Sequence, residues 1–241
     1  MTEKFIGIVL DVTRHSDRYN VVTLYTRSRG RVSFISSAAG GKAGKIRQAR
    51  LQPLSVIEGD YNFRPNSELQ KLGAFSLHDV WADIYFNPIK QMIAMFLSEF
   101  LNRLLKASMP DTNLWDYIHS SLRLFDVMKE RISDFHIVFL SSLLPFAGIQ
   151  PDPDEYSDGY ILDMQAGSFS SKIPLHRDFL KGDEAAFAAK LCRVDFSNMR
   201  ALRLNRNLRY RILDNLLKYY GIHFPGASNL KSIQVIHDIF N

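Results

Sequence analysis

Residues 40–50 read GGKAGKIRQAR, with glycines set beside lysines and arginines. That combination suits phosphate, because glycine lets the backbone approach closely and the cations neutralise charge. Two ligands fit: a nucleotide held for chemistry, or a nucleic-acid backbone. A triphosphate-binding loop needs a glycine, four residues, then Gly-Lys and a hydroxyl side chain for magnesium. Ahead of Gly44-Lys45 the first-glycine position is Ala39, and Ile46 follows the lysine. Ahead of Gly41-Lys42 it is Ser36, and Ala43 follows. Both frames fail at both ends, so no nucleotide chemistry is expected. What remains is a mobile loop bearing Lys42, Lys45, Arg47 and Arg50, read either as a solvated turn or as a phosphate contact.

The other candidate chemistry is weaker. The acidic run at residues 152–159 invites a calcium loop. With Gly159 in sixth place, Asp154 and Asp158 fall on ligand positions, but Tyr156 and Gln165 occupy the third and twelfth. A solvated acidic loop is expected there. The histidines, His15, His78, His119, His136, His176, His223 and His237, form no HExxH and no close pair on one helical face. Cys192 sits near Ala188, Ala189 and Leu191, the setting of a small core residue rather than a nucleophile. A lone cysteine also excludes a disulfide framework and a cysteine-cluster zinc site. No metal or other cofactor is expected. No nucleophile elbow, dinucleotide fingerprint or kinase signature is present, and the chain reads as a non-enzyme.

At 241 residues and 46% hydrophobic, the chain can fold as one large domain or two small ones. The single cysteine suits a cytoplasmic protein. The opening MTEKFIGIVLDV has no long apolar run of the secretory kind. The longest uncharged run, residues 135–151, contains Pro145 and falls short of the ~20 residues that span a bilayer. No membrane association is expected. Net charge is +5, unevenly spread. Residues 1–75 carry 12 Lys and Arg against 6 Asp and Glu, residues 76–180 carry 8 against 14, and residues 181–241 carry 10 against 5. Two basic ends flank an acidic middle, a distribution that favours a polyanionic partner.

The elements that must position these residues change character along the chain. Residues 5–12, 19–26 and 31–36 are short and rich in β-branched and aromatic types, and residues 27–30 (RSRG) form a tight turn between the last two. Residues 51–58 and 68–75 supply two more strands. Five strands in so few residues suit a small closed barrel, and the OB-fold is the five-stranded solution that binds single strands. From Asn87-Pro88, an N-cap followed by proline at the first helical position, apolar residues recur at three and four. Further helices are expected from Asp111, from Asp134 to near Gly148, and over 185–192, 199–204, 207–220 and 228–240. Residues 160–163 and 168–170 flank a turn and read as a hairpin. The fold class is α+β, with a barrel at 1–78 and a helical domain at 79–241 that carries a small hairpin insertion near 156–172. Tyr61 and Phe63, next to a strand end, could stack on bases or fill the core.

In order along the chain, residues 7–10 (GIVL), 23–26 (TLYT), 30–32 (GRV), the basic stretch 42–50 and residues 51–53 (LQP) resemble the N-terminal barrel of the DNA repair and recombination mediator family RecO. Residues 209–240 resemble that family's closing helices. The resemblance implies an OB barrel followed by a helical domain. It further implies binding of single- and double-stranded DNA and annealing of complementary strands. The partners it implies are the C-terminal tail of the single-strand binding protein SSB, RecR and, indirectly, RecA, at the nucleoid. Many members carry a four-cysteine zinc module after the third helix, and this chain has none of those cysteines. On this reading Arg14, Arg27, Arg29, Arg31, Lys42, Lys45, Arg47 and Arg50 approach phosphates, with Tyr61 and Phe63 beside bases. Arg203, Arg206, Arg209 and Arg211 are candidates for the SSB tail or for DNA. Three rival readings stay open: an RNA-binding OB-fold protein, a non-catalytic helical adaptor, and an enzyme with a dispersed site.

Overall fold

The structure, a computed structural model, describes residues 2–38, 40–107 and 109–239. Ala39, weighed above as the start of a phosphate loop, lies outside them, as does Phe240, the expected end of the last helix. The chain packs as two compact units. One comprises residues 1–128 and 230–239, the other residues 129–229.

In the first unit β1 (Thr2–Arg14), β2 (Tyr19–Thr26) and β3 (Gly30–Ser37) form an antiparallel meander. The β2–β3 turn closes because Gly30 accepts φ +65° while the Thr26 hydroxyl donates to its carbonyl at 2.9 Å. The register of β1 against β2 slips between Val9 and Asp11, a bulge at Leu10. The carbonyl of Leu10 turns instead to the Ser98 hydroxyl, which donates at 2.6 Å. β4 (Val56–Asn62) pairs antiparallel with the first half of β1, β5 (Leu69–Lys71) runs parallel to β3, and β6 (Phe75–Leu77) pairs with β4. The sheet order is β5-β3-β2-β1-β4-β6.

This is an OB-fold sheet, and it departs from expectation in three places. The fourth strand begins at Val56 rather than residue 51, because Leu54 turns the chain at φ +62° and donates its amide to Val9. The expected fifth strand divides into β5 and β6, making six. Among the described residues no ladder joins β5 to β6, so the sheet is not a hydrogen-bonded closed barrel. It curls until backbone meets backbone: a Cβ on Gly73 would stand 2.6 Å from the carbonyl oxygen of Asp60 in β4. Phe5, Phe34 and Tyr61 fill the interior, with ring centroids 5.2–5.9 Å apart.

The basic stretch is not a loop. It forms α1 (Gly41–Ala49), between β3 and β4. α2 (Pro88–Leu104) starts as expected, with Asn87 accepting amide hydrogen bonds from Ile89 and Lys90. α3 (Thr112–Val127) starts on Asp111 in the same way. Lys90 is fully buried. Its ammonium donates to the carbonyls of Phe125 and Asp126 at 2.6 and 2.9 Å and lies 2.8 Å from the Asp83 carboxylate. It thereby meets the carbonyls left over where α3 ends. The Asp126 carboxylate in turn accepts the amides of Ala82, Asp83 and Ile84. The last helix, α7 (Ile233–Ile239), packs on α2. Glu99 of α2 accepts the amides of Lys231 and Ser232 and the Ser232 hydroxyl, at 2.9, 2.9 and 2.6 Å.

The second unit contains α4 (Phe135–Leu143), α5 (Asp183–Leu191), α6 (Arg206–His223) and a small sheet, order β8-β7-β9 (Ile161–Asp163, Ser168–Ser170, Phe179–Leu180). β7 and β8 pair across a turn in which Gly167 holds φ +68°, directly under the Tyr219 hydroxyl. α4 stops at Leu143, short of Gly148, because Pro145 lacks the amide that would continue the ladder. Residues 199–204 make only a single 3-10 turn, Met199–Ala201. α6 packs on α4, and Tyr220 donates to the Leu140 carbonyl at 2.8 Å.

Candidate nucleic-acid interface

No side chain of α1 is fully buried, so apolar packing does not hold it in place. Its anchors are the two arginines at its end. Arg47 donates to the Ser36 hydroxyl at 3.3 Å and to the carbonyls of Leu72 and Gly73 at 3.3 and 2.9 Å, and lies 4.4 Å over the Phe75 ring. Burial pulls its pKa down from the usual arginine value, though it stays charged. Arg50 donates to the Phe75 carbonyl at 3.4 Å. These two cations tie the helix to the strip between β5 and β6. Lys42 and Lys45 remain exposed, and no ion pair is formed by either among the described residues. A strand before and a helix after are the surroundings a triphosphate loop requires, yet the spacing and the missing hydroxyl still exclude one.

Four other cations of the first unit already have partners. Arg29 grips Glu3 with two hydrogen bonds, at 2.7 and 2.6 Å, and covers Phe63 at 3.7 Å. That hydrogen bonding holds the Glu3 carboxyl below the usual range. Arg27 lies 3.1 Å from Asp116 and 5.7 Å over Trp115. Arg31 is half-buried and donates to Asn102 at 3.2 Å; burial lowers its pKa. Arg14 pairs with Asp17 on an exposed turn. Tyr61 is a core residue, only 5% exposed, with its hydroxyl donating to Glu3. Phe63 packs on the same core beneath Arg29. The fold thus brings Arg29, Glu3, Tyr61 and Phe63 into one cluster, and Arg47 and Arg50 into another, while Arg14 stands on its own turn.

Lys4, not singled out from the sequence, joins Arg27 and Phe75 in lining a groove of about 990 Å³ beside Glu58 and Asp60. The strand alternation of β1 was the available signal.

In the second unit Arg203 and Arg206 are exposed. Arg209 is bound up with Asp134, 2.9 Å away and almost fully buried, which also receives Arg131. Arg211 pairs with Glu184 at 2.5 Å on the rim of an apolar cavity of about 290 Å³ lined by Leu162, Met164, Phe187, Leu208 and Ile212. Cys192 also faces this cavity, and burial pushes its thiol up to about 11, which removes it as a nucleophile at neutral pH. The acidic run is a solvent loop, with Asp154 paired to Arg193 at 2.7 Å. No helix among the described residues is long and apolar enough to cross a membrane.

Two family models match the chain: "Recombination protein O N terminal" over residues 1–81, and "Recombination protein O C terminal" over residues 86–232. It is 34% identical to a DNA repair protein RecO of Bacteroides fragilis and 34% identical to that of Phocaeicola vulgatus, over the full length of both chains in each case. It is 30% identical to the DNA repair protein RecO of Porphyromonas gingivalis over 98% of each chain.

Proposed function

The chain belongs to the recombination protein O family and acts in recombinational DNA repair, and from that premise we propose that it is a non-catalytic mediator which binds DNA and anneals complementary strands. On this reading it works on SSB-coated DNA and, with RecR, promotes RecA loading. The observation that carries the proposal is α1: a helix without a buried face, fixed to an OB-fold sheet, that presents Lys42 and Lys45 to solvent. Such a helix contributes little to the core, and its exposed ammoniums suit a phosphate backbone.

Arg14 and Arg27, each at its own place on the first unit, are further candidates for phosphate contact. Exposed ion pairs are worth about 0–1 kcal/mol, so each arginine can exchange its aspartate for a phosphate. Arg31, Arg47 and Arg50 are held by neutral partners and contribute positive potential, whereas Glu3 neutralises Arg29. We assign the SSB tail to the apolar cavity of the second unit, where its carboxylate would displace Glu184 from Arg211.

The test is annealing of complementary oligonucleotides pre-coated with SSB. Wild-type protein should accelerate it, the Lys42→Ala/Lys45→Ala double variant should do so weakly, and absence of acceleration by wild type would refute the reading.

A further inference from the structure

Two histidines far apart in sequence meet at one end of the first unit. His78 follows β6 directly, and its amide is tied to the Val56 carbonyl at 2.8 Å. Its Nδ1 lies 2.9 Å from the Glu58 carboxylate. His119 stands on α3, with Nε2 2.6 Å from Oδ2 of Asp79. Ligand atoms of His78, Asp79 and His119 all lie within 4.8 Å of one another. The surroundings hold them there. The Trp115 ring sits 4.7 Å from that of His119 and is itself fixed by a hydrogen bond to the Tyr25 carbonyl. Arg123 approaches the other Asp79 oxygen at 3.8 Å.

We propose that His78, Asp79 and His119 bind a divalent transition-metal ion of the zinc type. Two imidazoles and one carboxylate form a nitrogen-rich set that selects zinc, cobalt or nickel over magnesium and calcium. The Glu58–His78 contact is the carboxylate–histidine arrangement that accompanies metal-bound imidazole: with Nδ1 donating to Glu58, Nε2 is the nitrogen that would carry the ligand bond. Side-chain exposures of 14%, 16% and 33% for His119, Asp79 and His78 leave a route for the ion from solvent. Ligands at 2.0–2.2 Å from a tetrahedral ion stand about 3.3 Å apart, so Asp79 and His119 separate slightly and His78 closes in. Three protein ligands leave a coordination position for water. The ion would clamp the end of β6 to α3. The site runs against the expectation from sequence, where the two histidines share no element.

The experiment uses the full chain, stripped with chelator and titrated with Co²⁺, with visible absorption as the readout. One Co²⁺ per chain is expected, displaced by Zn²⁺, with a Zn²⁺-dependent rise in Tm. His119→Gln and His78→Gln should each weaken Co²⁺ by 100-fold or more, and Glu58→Gln by about 10-fold. Cys192→Ser should bind as wild type. Absence of stoichiometric Co²⁺ in wild type would overturn the proposal. So would wild-type affinity in both glutamine variants, or loss of binding in Cys192→Ser. Each variant's circular dichroism and metal-free Tm are recorded, so that misfolding is not mistaken for ligand loss.

Discussion

Replacing Lys42 and Lys45 together with alanine should separate DNA contact from fold. Both side chains are exposed on a helix with no fully buried residue, so the change removes two charges without opening a cavity. Alanine is the stronger helix former, and stability should stay within about 0.5 kcal/mol of wild type. If both ammoniums contact phosphates, the slope of log K against log salt should flatten by about 1.4 on single strands and about 1.8 on duplex. Raising salt from 50 to 200 mM would then narrow the gap between wild type and variant on single strands by about 7-fold. Arg47→Ala should do the reverse. It loses three hydrogen bonds and the Phe75 contact, at a cost of about 2 kcal/mol, with a nearly unchanged slope. The assays are fluorescence anisotropy at four salt concentrations and urea denaturation. A flattened slope in Arg47→Ala beside an unchanged one in the lysine double variant would refute the division of roles.

Lys90→Ala should destabilise the protein by about 3–5 kcal/mol in urea, because it strips the cation from buried carbonyls and from Asp83. Glu99 should shape the acid limb of stability. Burial raises its pKa, but the Ser232 hydroxyl and the amides of Lys231 and Ser232 together outweigh burial and hold it below the usual range. Its contribution is therefore complete above the unfolded value of ~4.3 and is lost as pH falls through the lower folded value. The stability gap between wild type and Glu99→Gln should accordingly shrink between pH 6 and pH 3, and a constant gap would contradict this. Arg211→Glu should weaken a fluorescein-labelled SSB tail peptide at least 10-fold without changing DNA affinity, and equal peptide binding would remove the cavity as its site.

Local signals were legible from sequence. The β-branched runs gave β1 to β3, and Asn87-Pro88 and Asp111 started α2 and α3 where the structure has them. α1 was missed because glycines and cations without an apolar stripe carry no helical period. It is secured by carbonyls at Leu72, Gly73 and Phe75, which no window around residue 45 contains. The same limit applies to the cations. Glu3 under Arg29, Asp116 beside Arg27 and Asp134 beside Arg209 lie far along the chain, so arginines that read as free in sequence are partnered in the fold. The meeting of His78 and His119 was hidden for the same reason, since one follows β6 and the other stands on α3. Residues 68–75 looked like one strand because alternation does not reveal the close backbone pass of Gly73 against Asp60.

The return of residues 230–239 to the first unit sets an order of events during synthesis. A ribosome that has delivered residues 1–128 has made the whole OB-fold sheet, yet Glu99 then points at amides not yet translated. The second unit, continuous in sequence, can complete itself first, because domains fold as they emerge. The barrel unit, although it comes first in the chain, is sealed last.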